Sequence, residues 1–167
     1  MNWYVLYCQS LKIDQLCEIL NSKEDIKAFV PKMEMYRRDR DYFILEKMFP
    51  GYLFVLTHRD QKEFEIFLMR LGHQKNGLIR ELKKEGVSAL TQQEMDLFSN
   101  LLNQQGILKI SYGEKINGRS IANKGPLVHY SDNIKRVDFY RNIAYLDIQF
   151  LGRDIICGFV VKRYKQN

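Results

Sequence analysis

The sequence predicts an α+β fold in two parts. The first is a sandwich of helices on a largely antiparallel sheet; the second, after a linker, is a small β-barrel. Three observations carry this reading. Apolar residues recur at helical spacing in three segments of residues 1–103, with strand-like runs between them. A stretch rich in Gln, Gly and Asn interrupts regular patterning over residues 104–117. Beyond it, residues 118–167 alternate short β-branched and aromatic runs with turns.

Each element has a local cause. Trp3-Tyr4-Val5-Leu6-Tyr7-Cys8 is β-branched and aromatic with no helical period, so it reads as a buried strand. Ser10 is placed to cap a helix whose apolar face is Leu16, Ile19 and Leu20. Lys27 to Pro31 begins an extended segment that continues through Met33, Met35 and Tyr36. A charged turn follows at Arg37 to Asp41, and Tyr42-Phe43-Ile44-Leu45 returns, which makes a hairpin. After Pro50-Gly51 the run Tyr52 to Leu56 is a further strand. Asp60-x-x-Glu63 resembles a capping box, with Phe64, Phe67, Leu68 and Leu71 on one helical stripe and Gly72 at its end. Thr91-x-x-Glu94 opens a third helix that buries Met95, Phe98 and Leu102. In the C-terminal part, strands are expected at 120–122, 134–137, 143–150 and 155–161.

Composition narrows the function. Apolar residues make up 46% of the 167, enough for packed cores. No apolar run approaches the roughly 18 residues of a membrane span, and no secretory leader pattern opens the chain, so a soluble cytoplasmic monomer is expected. Cys8, Cys17 and Cys157 are odd in number and form no C-x-x-C pair. Cys8 and Cys157 sit in strand-like runs and are expected as buried, reduced thiols. His58, His73 and His129 lack metal-ligand spacing, and no Walker loop, G-x-G-x-x-G or G-x-S-x-G occurs. A binding protein without cofactor or metal is therefore expected, not an enzyme. The formal charge of +6 is uneven: zero over residues 1–108, +2 over 109–119 and +4 over 120–167. That asymmetry points to an anionic partner for the C-terminal part.

Three segments together resemble one family. They are the opening strand with Trp3-Tyr4, the run Phe49-Pro50-Gly51-Tyr52 after Val30-Pro31 and a charged hairpin, and the late Gly125-Pro126-Leu127 with Phe150-Leu151-Gly152-Arg153. In this order they resemble the NusG family of transcription factors over nearly the whole chain. The resemblance implies a NusG-type N-terminal domain over 1–103, a linker over 104–117 and a KOW domain over 118–167. Six residues after Pro126 the family has a glycine in a tight turn. This chain has Asp132, so a left-handed aspartate is expected there. The leucine-rich third helix and the basic KOW end resemble the specialised paralogs LoaP, UpxY and RfaH, with LoaP nearest.

The resemblance also implies the function: a processive antitermination or elongation factor that holds RNA polymerase and suppresses pausing and termination in a long operon. Phe49, Pro50, Gly51 and Tyr52 match the polymerase-docking depression, which meets the β′ clamp helices while the domain reaches toward the β subunit. Arg37, Arg38 and Arg40 at the hairpin tip are candidates for non-template DNA. Lys124, Lys135, Arg136, Arg141 and Arg153, with Lys162, Arg163 and Lys165 and the rings of Tyr130, Phe139 and Tyr140, are candidates for a nascent RNA hairpin. Other KOW domains of the family bind a ribosomal protein or the termination factor Rho. The alternative is a KOW-type RNA- or ribosome-binding module with no polymerase-directed role.

Overall fold

The computed structural model describes residues 1–162, so Arg163 and Lys165 lie outside the described residues. Among the described residues, thirteen strands and three α-helices are arranged in two compact units. One comprises Met1–Pro31 with Phe49–Phe98, the other Lys32–Met48 with the chain from Ser99 onward.

The first unit is built on a five-stranded sheet. Its strands are β1 (Asn2–Cys8), β2 (Lys27–Phe29), β5 (Tyr52–Thr57), β6 (Leu78–Lys84) and β7 (Val87–Ser88), in the order β2-β5-β1-β6-β7 with antiparallel pairings throughout. Side chains alternate across a strand, so β1 and β5 each feed two faces. Tyr4, Leu6, Leu53 and Val55 pack with Ile13, Leu16 and Leu20 of α1 (Ile13–Asn21) and with Phe64 and Leu68 of α2 (Gln61–Arg70). The opposite face carries Trp3 and Phe54, with Phe29 edge-on to Trp3 at 6.1 Å. Helix α2 starts as expected: the Asp60 carboxylate accepts from the Glu63 amide at 2.8 Å. Helix α3 (Gln92–Leu101) carries the full reciprocal box, Thr91 N–H to Glu94 at 3.1 Å and Glu94 N–H to the Thr91 hydroxyl at 3.2 Å. Helix α1 differs: Lys12 occupies its cap position, with no side-chain cap, so Ser10 does not cap it.

The second unit contains the hairpin β3 (Lys32–Arg37) and β4 (Tyr42–Lys47), with β8 (Ile107–Leu108) parallel to β3. It also contains β9 (Ser111–Ile116), β10 (Arg119–Lys124), β11 (Ile134–Asp138), β12 (Ile143–Phe150) and β13 (Arg153–Lys162), in the order β10-β9-β13-β12-β11. Four of these strands, β10 to β13, fall where the sequence predicts strands, and β9 lies in residues read as linker. Leu127, Ile143, Leu146, Ile155, Cys157 and Phe159 are among its buried residues. Cys8 and Cys157 are buried free thiols, and burial pushes both up to about 12.

Two expectations need correction here. Residues 104–117 are not an irregular linker, because they supply β8 and β9, and β9 pairs with both β10 and β13. Gly113 reads as a breaker but sits inside β9 at a close approach: a Cβ there would lie 2.1 Å from the Ile121 carbonyl oxygen and 2.8 Å from the Phe159 ring. Asp132 does not adopt left-handed backbone. It lies in a short 3₁₀ turn, Ser131–Asn133, and accepts from Arg119 at 2.6 Å. The left-handed residues nearby are Asn142 and Leu151, with φ of 54° and 53°. Among the described residues no helix is long and apolar enough to cross a membrane.

Candidate functional site

In the first unit, the turn before β5 is closed by the Tyr52 amide donating to the Phe49 carbonyl at 3.0 Å. It is tied to β1 by the Cys8 amide donating to the Gly51 carbonyl at 2.8 Å. Gly51 has φ +89°, and a Cβ there would touch the Tyr7 ring at 3.1 Å, so the turn and the close approach both require glycine. Phe49, expected as a docking anchor, is only 3% exposed. It stacks on Phe54 with ring centroids 6.3 Å apart and meets Phe98 edge-on at 6.1 Å. Phe49 is therefore a core side chain in this structure, like Leu53, Phe54 and Val55. Gly51 is buried as well. The accessible part of the predicted set is Pro50, which is exposed, and Tyr52, which is half-buried against the cross-strand partner Tyr7 at 5.1 Å.

In the second unit, the sequence-predicted arginines fall into distinct places. Arg37 and Arg38 at the β3 end line one cleft with Tyr140 and Arg141 of the β11–β12 turn. Tyr36 and Asp39 complete its walls, and its volume is about 620 Å³. Arg38 donates to the Phe139 carbonyl at 3.3 Å across the cleft floor. Arg37 faces Asp39 at 3.5 Å. The Tyr36 hydroxyl donates to Asp41, and that bond holds the phenol above its ordinary value. Arg40 lies in the exposed hairpin turn outside the cleft lining.

Glu34 fastens the hairpin of this unit. Its carboxylate accepts from Lys109 at 2.6 Å and from the Ile110 amide at 3.2 Å. Burial alone would raise this carboxyl. The Lys109 hydrogen bond, the Ile110 amide and the Lys109 charge outweigh burial and hold it below its ordinary value.

A second basic hollow, about 300 Å³, is lined by Lys135 and Arg136 together with Lys115, Arg119 and Phe139. Its cations are already engaged. Lys135 bonds Asp154 at 2.7 Å and holds that carboxyl below its ordinary value; Arg119 bonds Asp132; Arg136 lies 4.0 Å over the Tyr145 ring. Lys115 sits 5.6 Å over the Phe139 ring. Lys124 and Arg153 are exposed and line neither hollow; Lys124 rests 5.7 Å over the Tyr112 ring. Sequence reasoning missed Lys115, which fell in the presumed linker of 104–117, and Arg119, which directly follows the Asn117-Gly118 turn.

The family profile described as NusG, "Transcription termination factor nusG", matches residues 1–99. The chain belongs to the NusG family. NusG-family proteins are transcription factors that act in elongation and antitermination, and membership implies an interaction with RNA polymerase. A solved structure of NusG from Thermotoga maritima, from work on domain interaction in that protein, aligns with 92% of this chain. It is covered over 90% of its own length, at 17% identity with a TM-score of 0.48. No curated protein matches the chain.

Proposed function

We propose that this NusG-family protein is a specialised processive antitermination factor, of the kind LoaP represents. It docks on the β′ clamp helices, reaches the β subunit and suppresses pausing in a long operon. The match of residues 1–99 to the family profile supports its polymerase-directed part; the specialised role rests on the resemblance of the leucine-rich third helix and the basic C-terminal end. The docking surface is centred on Tyr52 and Pro50, the accessible members of the Pro-Gly turn, with Phe49 and Gly51 shaping it from within. The arginines of the second unit supply contacts to nucleic acid.

No chemistry is needed for the effect. A protein that binds the closed, elongating polymerase better than the paused one shifts the equilibrium by its differential affinity. About 1.4 kcal/mol changes the ratio of paused to elongating complexes tenfold.

The test is co-purification with RNA polymerase, followed by transcription on a template with a defined pause. Polymerase recovery and shortened pausing are expected. Tyr52→Ala should weaken recovery by about 2 kcal/mol, the cost of losing one interface anchor. Recovery of RNA or ribosomal subunits without polymerase would overturn the docking reading. The alternative, an RNA- or ribosome-binding module favoured by the C-terminal charge excess, would then replace it.

A further inference from the structure

We propose that the cleft between the β3–β4 turn and the β11–β12 turn holds one unstacked nucleotide of a single-stranded nucleic acid. The base lies against Tyr140 and Tyr36, and the phosphate is held by Arg37, Arg38 and Arg141. The inference rests on the nucleic-acid reading of those arginines and adds to it a single composite site made by segments about a hundred residues apart.

Four observations carry it. First, Tyr140 is 76% exposed, so its ring contributes little to any core. Yet it is held in place: the Asp138 carboxylate accepts from the Tyr140 amide at 3.1 Å and from the Arg141 amide at 3.0 Å. A rigid turn that presents an aromatic ring to water is a stacking platform, since every base has a π-face.

Second, the other wall is equally fixed. Tyr36 is tied through Asp41 and its ring packs on Phe43 with centroids 5.3 Å apart. The cleft volume of about 620 Å³ falls in the range of small-ligand sites.

Third, its charge suits a phosphodiester. Three guanidinium groups and one carboxylate, Asp39, line it, and with Arg40, Asp41 and Asp138 of the same two turns counted the local net is +1. The Arg37–Asp39 pair is exposed and weak, so a phosphate can compete for Arg37. Arg38 spends one donor on the Phe139 carbonyl and has five in all. The second basic hollow is smaller, about 300 Å³, and less suited, because Lys135 bonds the partly buried Asp154 and Arg136 and Lys115 already lie over the Tyr145 and Phe139 rings.

Fourth, the two walls are fastened to each other within this unit. The β13 backbone approaches β3 so closely that a Cβ on Gly158 would lie 2.3 Å from the Glu34 carbonyl oxygen. The Arg38 bond to the Phe139 carbonyl joins the two turns directly. A duplex keeps its bases stacked and cannot offer one to such a cleft without unpairing, whereas a single strand can.

The experiment uses the full chain and fluorescence anisotropy with labelled ten-nucleotide RNA, DNA of the same sequence, and the corresponding DNA duplex. Both single strands should bind more tightly than the duplex. Tyr140→Ala should weaken both single strands roughly tenfold and leave duplex binding within about twofold. Tyr140→Phe should retain binding. Arg38→Glu should weaken all three probes, and the double variant should lose less than the sum of the single losses. Equal affinity for RNA and DNA supports recognition of base and phosphate alone; a preference for RNA supports the same site with a 2′-hydroxyl contact. All these residues except Tyr36 are exposed, and far-UV circular dichroism checks that each variant folds. If Arg38→Glu weakens every probe and Tyr140→Ala weakens none, nucleic-acid binding stands and the nucleotide site is overturned. If the unmodified protein binds none of the probes, both readings fall.

Discussion

The two units use aromatic rings in opposite ways. In the first, Phe49, Phe54 and Phe98 lie within ring-contact distance of one another and are buried. Their value is burial and ring packing. In the second, Tyr140 stands in water beside Arg141 on a turn held by Asp138. The difference teaches that an aromatic residue is assigned by its neighbours. Among buried rings it is stabilising mass; exposed beside guanidinium groups it is the ring we propose for recognition.

The contrast is sharpest in stability. Phe49→Ala is expected to destabilise the protein by about 4 kcal/mol, the usual cost of emptying a buried phenylalanine site. Tyr140→Ala, on the surface, is expected to stay within about 0.5 kcal/mol. The chain has a single tryptophan, Trp3, in the first unit, so denaturation followed by its fluorescence reads the first change directly. A Phe49→Ala protein of normal stability would return Phe49 to the docking surface and remove the contrast.

Much of this architecture was legible in the sequence. Trp3 to Cys8, the hairpin around Arg37 to Asp41, and the two boxes opened by Asp60 and Thr91 all announce themselves through local chemistry. What the sequence could not distinguish was which of two apolar faces is covered. Phe49 and Tyr52 read alike in the chain, but only the fold shows Phe49 against Phe54 and Phe98. The cleft was half legible. Arg37, Arg38 and Arg141 were named as cations, but nothing local brings residues so distant in sequence together. Strand β9 was lost because glycine signals both a break and a close approach, and Gly113 is the latter.

That misreading makes the second expected effect. Gly113→Ala should destabilise the second unit by about 3 kcal/mol, since the added carbon meets a backbone oxygen that no rotamer change can move. The strand content seen by far-UV circular dichroism should melt earlier. If it does not, β9 has room that the Ile121 carbonyl does not leave it, and packing at backbone distance is not what secures this unit.

The smallest of the three effects concerns Glu34 and is read by pH. Its carboxyl sits below its ordinary value of 4.5 because the hydrogen bonds from Lys109 and Ile110, with the Lys109 charge, outweigh the burial that would raise it. A group whose folded-state pKa is depressed stabilises the fold above its unfolded value and loses that contribution as pH falls through the folded one. Stability should therefore be level above about pH 5 on this account and decline below about 4.5 as the carboxylate takes up a proton. Glu34→Gln keeps the size and part of the hydrogen bonding while removing the charge, and should cost about 2 kcal/mol at neutral pH, the scale of a charged hydrogen bond. It should also flatten the acid limb, because the residue no longer titrates. Measuring denaturant midpoints of both proteins from pH 7 to pH 3 separates this from the general effect of protonating surface carboxylates: the two curves should converge as pH falls. Parallel curves would mean that Glu34 contributes shape and no charge, and the fastening of the hairpin in the second unit would then rest on backbone packing alone.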